Sequence, residues 1–501
     1  MLAPLISWYF RQRYDDLLAL SARSSDDQEV LFEYLLDEGR DTSFGRNCGF
    51  DSIKTYEQWK QNVPISDYEA LKPWIEKTMQ GEQGVLWPRE INWFAKSSGT
   101  TGNSAKYIPI SFENLEDTHF RGGRDILSVY CARNPDTKIF QGKGLLIGGS
   151  HKVNQLNTRS FYGDLSAVLM NHMPFWANLK STPDMSIALM DNWEEKLESM
   201  ARATIEENVT SISGVPTWTL VLFKRILEIT GKKHMHEVWP NLELFIHGGV
   251  SFVPYREQFR EILPGSHMQY LETYNASEGF FGIQFSQDSS DLLLMTNHGI
   301  FYEFYPMSEG PEAAIPLWEV KPGVNYAMLI TTNSGLWRYQ IGDTVQFSDT
   351  NPYLFRITGR TKLFINAFGE ELVIENADTA IAAASKATGA VVADYTAAPV
   401  YMTDAEPGHE WLIEFEIKPE NLVQFTTILD DELKKCNGDY AAKRAGDLAM
   451  RMPHVHIAPG GLFQVWLKNK GKLGGQHKVP RLCNDRKILD EILAMMVASA
   501  S

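Results

Sequence analysis

The chain has 501 residues, 44% of them hydrophobic and 22% charged, an ordinary globular composition with material for more than one core. Its 47 Lys and Arg against 63 Asp and Glu leave a net charge of −16, which argues against general nucleic-acid or membrane-surface binding, because both targets are polyanions that want excess cation. An anionic ligand has to be held by local donors instead. The 4 cysteines, Cys48, Cys131, Cys436 and Cys483, lie far apart with no CxxC pair. Neither a zinc site nor a disulfide framework is expected, and a reducing cytoplasm fits.

Residues 2–10 are apolar, lack a basic leader and are followed at once by Arg11, Arg13, Asp15 and Asp16. This predicts an amphipathic helix rather than a signal peptide, and no apolar run is long enough to span a bilayer. The pattern stays helical to about residue 90: Asp26 or Asp27 can cap a segment with Val30, Leu31, Tyr34 and Leu35 on one face, and Gly39 stops it. Residues 97–106 read SSGTTGNSAK, between the aromatic pair Trp93 and Phe94 and the β-prone residues 107–110. A tight loop joining two buried strands is expected. Its glycines let backbone N–H groups turn toward one point, and its hydroxyls and lysine add donors, so it can cradle phosphate. It can equally be a polar surface loop, since the order differs from the GxxxxGK[ST] loop.

A polar helical stretch near Glu113 precedes GLLIGGS, which lacks GxGxxG spacing and reads as a buried strand and turn. Helices are expected over residues 193–209 and 216–230, the second opened by Pro216 and closed by Gly231. Between them SISGVPTW is a strand entering a turn. Residues 242–250, LELFIHGGV, repeat the design: a buried strand, a glycine pair, then a helix from about Pro254. Strands alternating with helices imply parallel βαβ units, with ligands at the carboxyl ends of strands. His247 sits at such an end and is read as a structural hydrogen bonder rather than a catalyst.

From Met268 the pattern changes to short strands, MQYLETY, GIQF, LLLM, IFYEFY, NYAMLITT, LWRYQ and VQF, which predict a β-rich subdomain. Two of its loops are chemically loaded. TYNASEGFFG carries one carboxylate, Glu278; GLWRYQIGD places Arg338 inside an aromatic strand and Asp343 after a glycine turn. A strand over 354–361 ends in TGRTK, and a domain boundary is expected near 358–362. Beyond it a small α+β unit is predicted: a helix over 370–387, strands at 390–395 and 411–417, a helix at 421–436 and a last strand at 463–467. The basic cluster Lys468, Lys470, Lys472, His477, Lys478 and Arg481, with glycines between, is either solvated surface or a mobile arm that inserts one lysine at an anion.

Three loops then agree. SSGTTGNSAK resembles the phosphate loop of the adenylate-forming superfamily of acyl-CoA synthetases and luciferases. YNASEGFFGIQF and GLWRYQIGD, in that order, are similar to the plant acyl acid amido synthetases, the Gretchen Hagen three family, and GQHKVPR resembles that family's C-terminal lysine segment. The resemblance runs from the first helices to Arg481. It implies an α/β fold with a large N-terminal domain, residues 1–359, that binds ATP and the acyl acid, and a small mobile α+β domain, residues 360–501, that carries the catalytic lysine.

The resemblance further implies that Ser97, Ser98, Gly99, Thr100, Thr101 and Gly102 hold the β- and γ-phosphates of ATP, with Lys106 as the closing lysine one residue later than usual. Asn275, Ala276 and Ser277 match the segment along the adenine, and Glu278 the acidic residue that helps hold magnesium. Gly248 and Gly249 match the turn flanking the base and acyl pocket. Asp343 matches the ribose-binding carboxylate, Arg360 a basic residue at the same nucleotide, Lys362 the hinge and Lys478 the catalytic lysine. Lys478, Glu278 and Ser98 are the implied catalytic residues, with ATP and Mg2+ as cofactors.

The implied reaction adenylates a small carboxylic acid, releases pyrophosphate and passes the acyl group to an amino acid, by a monomer. Thioester formation with coenzyme A or a carrier thiol is the sister reading, and a nucleotide-binding relative without ligase activity a third. One departure is NAFGEELVIEN, with Glu370 and Glu371 where the family carries a lysine. These two are expected in the first turn of a helix, favoured by its dipole.

Overall fold

The computed structural model describes residues 2–21, 23–97, 106–148, 153–190, 192–249, 252, 255–265, 267–287, 289–361, 365, 370, 372–400, 407–437, 440–441, 444, 450–472, 478–483 and 485–500. Two compact units emerge. The larger comprises Met1–Val250, Glu257–Ile341 and Val345–Arg356; the smaller comprises Ser251–Arg256, Gly342–Thr344 and Ile357–Ser501.

The larger unit opens with the helices Leu2–Ser21, Ser24–Gly39, Ser43–Cys48, Tyr56–Asn62 and Tyr68–Met79. Thr42, Thr55 and Asp67 cap the last three by accepting from the N–H of Gly45, Gln58 and Ala70, which satisfies donors a helix start leaves open. Asp26 and Asp27 lie inside the first turn of the second helix, whose cap position is Arg23. There they favour the helix through its dipole rather than as caps.

Two sheets follow. A four-stranded sheet has Trp93–Ser97 at its heart, antiparallel to Lys106–Ile110 and parallel to Phe161–Gly163. A twelve-stranded sheet begins as a parallel block, Ser181–Thr182, Lys143–Leu146, Val209–Gly214, Leu244–Gly248 and Gln269–Ala276. Gln269–Ala276 then pairs antiparallel with Gly279–Gln284, and the sheet continues through Leu292–Leu294, Tyr353–Arg360, Tyr339–Thr350, Asn325–Thr332, Ile300–Pro306 and Ile315–Pro316. The β-rich segment is therefore the antiparallel half of the same sheet and not a sheet of its own. Pro216–Thr230 runs as its sequence predicts, from Pro216 to a left-handed Gly231. The helix before it stops at Thr204, because Val209 already opens a buried strand.

Of LWRYQ only Tyr339 and Gln340 are strand. Leu336 and Trp337 are fully buried, Trp337 against Phe44, Phe50 and Trp59, and Arg338 takes a φ of 42° that breaks the extended run. The strand starts at Tyr339.

The smaller unit has a three-stranded sheet, Val391–Val400, Gly408–Ile417 and His454–Ala458, with the helices Ile374–Thr388, Leu422–Cys436, Leu462–Asn469 and Lys487–Ala500. Its core joins Ile381, Tyr395, Trp411, Phe425 and Leu429. The strand expected at 463–467 is helix: Leu462, Phe463, Trp466 and Leu467 are buried while Val465 is half exposed, a 3.6-residue period that a five-residue window misreads. Glu370 lies before the helix Ile374–Thr388, not in its first turn; it is fully buried and bonded to His409 Nε2 at 2.8 Å. Glu371 lies outside the described residues. Among the described residues no helix is long and apolar enough to cross a membrane, and none of the four cysteines is in a disulfide.

Candidate active site

In the larger unit, the suspected phosphate loop is pinned at its base. Ser97 and Lys106 are register partners at the ends of the two antiparallel strands. Tyr68 braces the closing side, with its hydroxyl oxygen accepting from the Tyr107 N–H at 2.8 Å and its ring lying 5.8 Å from Lys106 Nζ. Ser98, Gly99, Thr100, Thr101 and Gly102 lie outside the described residues.

The second group forms where the large sheet changes from parallel to antiparallel. Gly248 ends its parallel strand opposite Thr273, and a Cβ there would meet the Thr273 carbonyl oxygen at 2.5 Å and Asn275 Oδ1 at 3.5 Å. A side chain is excluded, and the backbone of the glycine turn lies against Asn275. Gly249 has a φ of 76°, the left-handed region that glycine enters at little cost. Asn275 and Ala276 pair with Phe280 and Gly279, which leaves Ser277 and Glu278 as a two-residue turn, both buried. A carboxylate buried at the carboxyl end of a parallel block is suited to a hard cation. His247 is buried nearby and its carbonyl accepts from Thr273 Oγ1 at 3.3 Å.

Arg338 plays no part in this group. Its Nε and Nη2 bond Glu303 at 3.1 and 2.9 Å, its Nη1 bonds the Val63 carbonyl at 2.8 Å, and Glu303 also accepts from Tyr56 and Trp59. A buried pair so fully bonded is framework.

In the smaller unit, Gly342 at φ 87° bends its strand, and the Thr361 N–H donates to its carbonyl at 2.8 Å. This sets Asp343 beside Arg360, whose Nε reaches Asp343 Oδ1 at 2.6 Å. Lys478 lies within electrostatic reach of both. Its amine is pulled down to about 7, first by the protein crowded around it, then by Arg481 and Arg360, while Asp394 and Asp343 act in the opposite sense. The residue is exposed, so solvent tempers the first cause and the two guanidinium groups carry more of the effect. Lys362 lies outside the described residues.

The lysine is held by an anchor that the sequence reading left among the basic cluster. Three residues on, Arg481 Nη1 bonds Asp378 at 2.8 and 2.9 Å, and Nη2 bonds the Tyr255 hydroxyl at 2.7 Å. Its guanidinium stands 5.2 Å from the Tyr395 ring, and the Tyr395 hydroxyl bonds Asp378. Two backbone bonds and one from a side chain add to this: Ala397 N–H to Arg481 O, Cys483 N–H to Ala397 O, and the Thr396 hydroxyl to Pro480 O. Asp394, half-buried beside Arg481, is pushed up to about 6 by desolvation, against the pull of Arg481. Its signal was legible: one carboxylate in the strand VVADYTAAPV, otherwise almost apolar.

The geometry offers a turn-borne carboxylate and a glycine cradle in one unit, and a carboxylate with three cations in the other. Models of the GH3 family match the chain as its N-terminal domain over residues 13–268, its central domain over 293–360 and its C-terminal domain over 375–487. An indole-3-acetic acid-amido synthetase, GH3.3 of Arabidopsis thaliana, is 22% identical, covering 94% of this chain and 91% of that protein. The 4-substituted benzoates-glutamate ligase GH3.12 of the same plant is also 22% identical, over 94% and 95%. The solved GH3.15 acyl acid amido synthetase superposes with a TM-score of 0.79 at 16% identity, covering 97% of this chain and 95% of that one. That last likeness is one of fold alone.

Proposed function

The chain belongs to the GH3 family, and from that premise we propose that it is an ATP-dependent acyl acid amido synthetase acting on a small carboxylic acid and an amino acid. The single observation that carries the reading is the gathering of Asp343, Arg360 and Lys478, far apart in sequence, around one position in the smaller unit. Relatives named as indole-3-acetic acid-amido synthetase and benzoates-glutamate ligase supply the substrate class.

In the first step a carboxylate oxygen of the acid bonds to the α-phosphorus of ATP, and the bond to the bridging oxygen breaks to release pyrophosphate. Two anions must meet, so the protein has to supply positive charge where the transition state gathers negative charge. On this reading Lys478 supplies it, fixed in direction by the Arg481 anchor, and Asp343 and Arg360 hold the ribose end. The pinned base of the 97–106 loop orients the β- and γ-phosphates, with Ser97 at one side and Lys106 at the other, and Ser98, Gly99, Thr100, Thr101 and Gly102 between. Gly248 and Gly249 let the backbone approach the base, which Asn275, Ala276 and Ser277 border. Magnesium fits Glu278, a buried hard oxygen donor; bound there it would neutralise phosphate charge. In the second step the amino acid nitrogen attacks the acyl carbon and loses a proton, and the bond from that carbon to the phosphate oxygen breaks, so that AMP leaves with the electron pair.

Unpaired cysteines suit a reducing compartment such as the cytoplasm. The test is ATP–pyrophosphate exchange over aromatic, indolic and fatty acids, with magnesium and no amine, followed by AMP release with amino acids or with coenzyme A. Exchange with one class of acid, then AMP release driven by an amino acid, is expected. ATP binding without exchange for every acid class would overturn the reading, and release driven by coenzyme A alone would replace the amine by a thiol.

A further inference from the structure

His454 and His456 stand two residues apart on the edge strand His454–Ala458, so their side chains share one face. The neighbouring strand runs parallel and places Glu410 opposite His454 and Leu412 opposite His456. One nitrogen of each ring and one Glu410 oxygen all lie within 4.8 Å of one another. His456 Nε2 is 2.6 Å and His454 Nδ1 3.8 Å from Glu410 Oε1. The other oxygen, Oε2, is taken by Arg486 Nη2 at 2.5 Å, and Arg486 is tied in turn to Asp490 at 2.8 Å and to the Pro399 carbonyl at 3.1 Å.

From this arrangement we propose that Glu410, His454 and His456 form a binding site for a divalent transition metal of the zinc class, a site independent of the ATP reading. Two imidazoles and one carboxylate are a donor set that such ions take with a fourth position left to water. His454 is 71% exposed on its side chain, which leaves that position open. Tetrahedral bonds of about 2.0–2.1 Å put donors roughly 3.3 Å apart. The His456 contact of 2.6 Å has to open by roughly 0.7 Å and the His454 contact of 3.8 Å to close by roughly 0.5 Å, within the reach of side-chain rotation.

Arg486 plays the orienting part that outer partners play at metal centres: it fixes the carboxylate and turns Oε1 toward the rings. The bound ion would clip the edge strand to its neighbour.

The full chain, stripped of metal with a chelator, is titrated with Zn2+ in competition with a chromophoric chelator, and separately with Co2+ read by visible absorption. The wild-type chain is expected to bind one equivalent more than the H454A/H456A double variant. His454→Ala alone and Glu410→Gln are each expected to weaken that equivalent by at least the roughly 10–100-fold that loss of an outer partner costs. His454 is exposed, so its single variant reports even where the double variant fails to fold. Equal stoichiometry and affinity in the wild-type chain and H454A would overturn the site, as would a Co2+ spectrum that the variants leave unchanged.

Discussion

Lys478 is a cation whose charge is contested by two guanidinium groups, and this has a pH signature. With its amine pulled down from the ordinary lysine range toward 7 in the free protein, the protonated form on which the proposed adenylation relies is lost at a lower pH than in a free lysine. The kcat/KM for acid-dependent pyrophosphate exchange is therefore expected to fall from about pH 6 toward 9, and Lys478→Arg, which stays charged, to flatten the fall. Lys478→Ala should slow exchange about 100–1,000-fold, the scale on which removal of one transition-state donor acts, with the ATP dissociation constant little changed. Unaltered exchange in that variant would remove Lys478 from the mechanism. On the proposed reading Asp343 belongs to binding. Losing its charged hydrogen bonds, worth about 1.5–3 kcal/mol, is expected to raise the ATP dissociation constant of Asp343→Ala at least about tenfold, read by calorimetry. An unchanged constant would count against the ribose assignment.

Elements, more than single side chains, decide whether these groups meet. Gly248 closes the parallel block with room for backbone only, so Gly248→Ala must push apart the strands Leu244–Gly248 and Gln269–Ala276. A cost of about 1–3 kcal/mol is expected from such overpacking, measured as a lower denaturant midpoint at constant slope, together with weaker ATP binding because Asn275 moves with its strand. Stability like that of the wild-type chain would show that the turn yields. The sequence could announce this element because a buried apolar strand followed by two glycines carries its own boundary, as Pro216 and Gly231 do for their helix. It could not announce the partners. Arg338 looked chemical in its aromatic context, yet Glu303, 35 residues earlier, turns it into framework. Arg481 looked like one cation among six, and becomes an anchor because Tyr255, Asp378 and Tyr395 converge on it. Glu370 looked like a helix-dipole residue until the distant His409 paired with it. Local period and turn chemistry are written in neighbouring residues, whereas long-range pairing is decided by tertiary packing that no window contains.

The whole molecule carries −16 charges and is proposed to bind a polyanion, so its working cations have to be concentrated and well anchored. They are divided in a telling way: Lys106 belongs to the larger unit, while Arg360, Lys478 and Arg481 belong to the smaller. On the proposed reading Lys478 serves the adenylation step and is not needed when the amino acid attacks the acyl carbon. That arrangement makes the two half-reactions separable. When acyl-AMP is supplied directly with the amino acid, Lys478→Ala is expected to form amide at close to the wild-type rate, although its adenylation is slowed about 100–1,000-fold. Rapid mixing, with amide and AMP followed in one set of samples, measures both. A variant equally slow in both steps would mean that Lys478 acts at the reacting carbon throughout, and its restriction to adenylation would have to be abandoned.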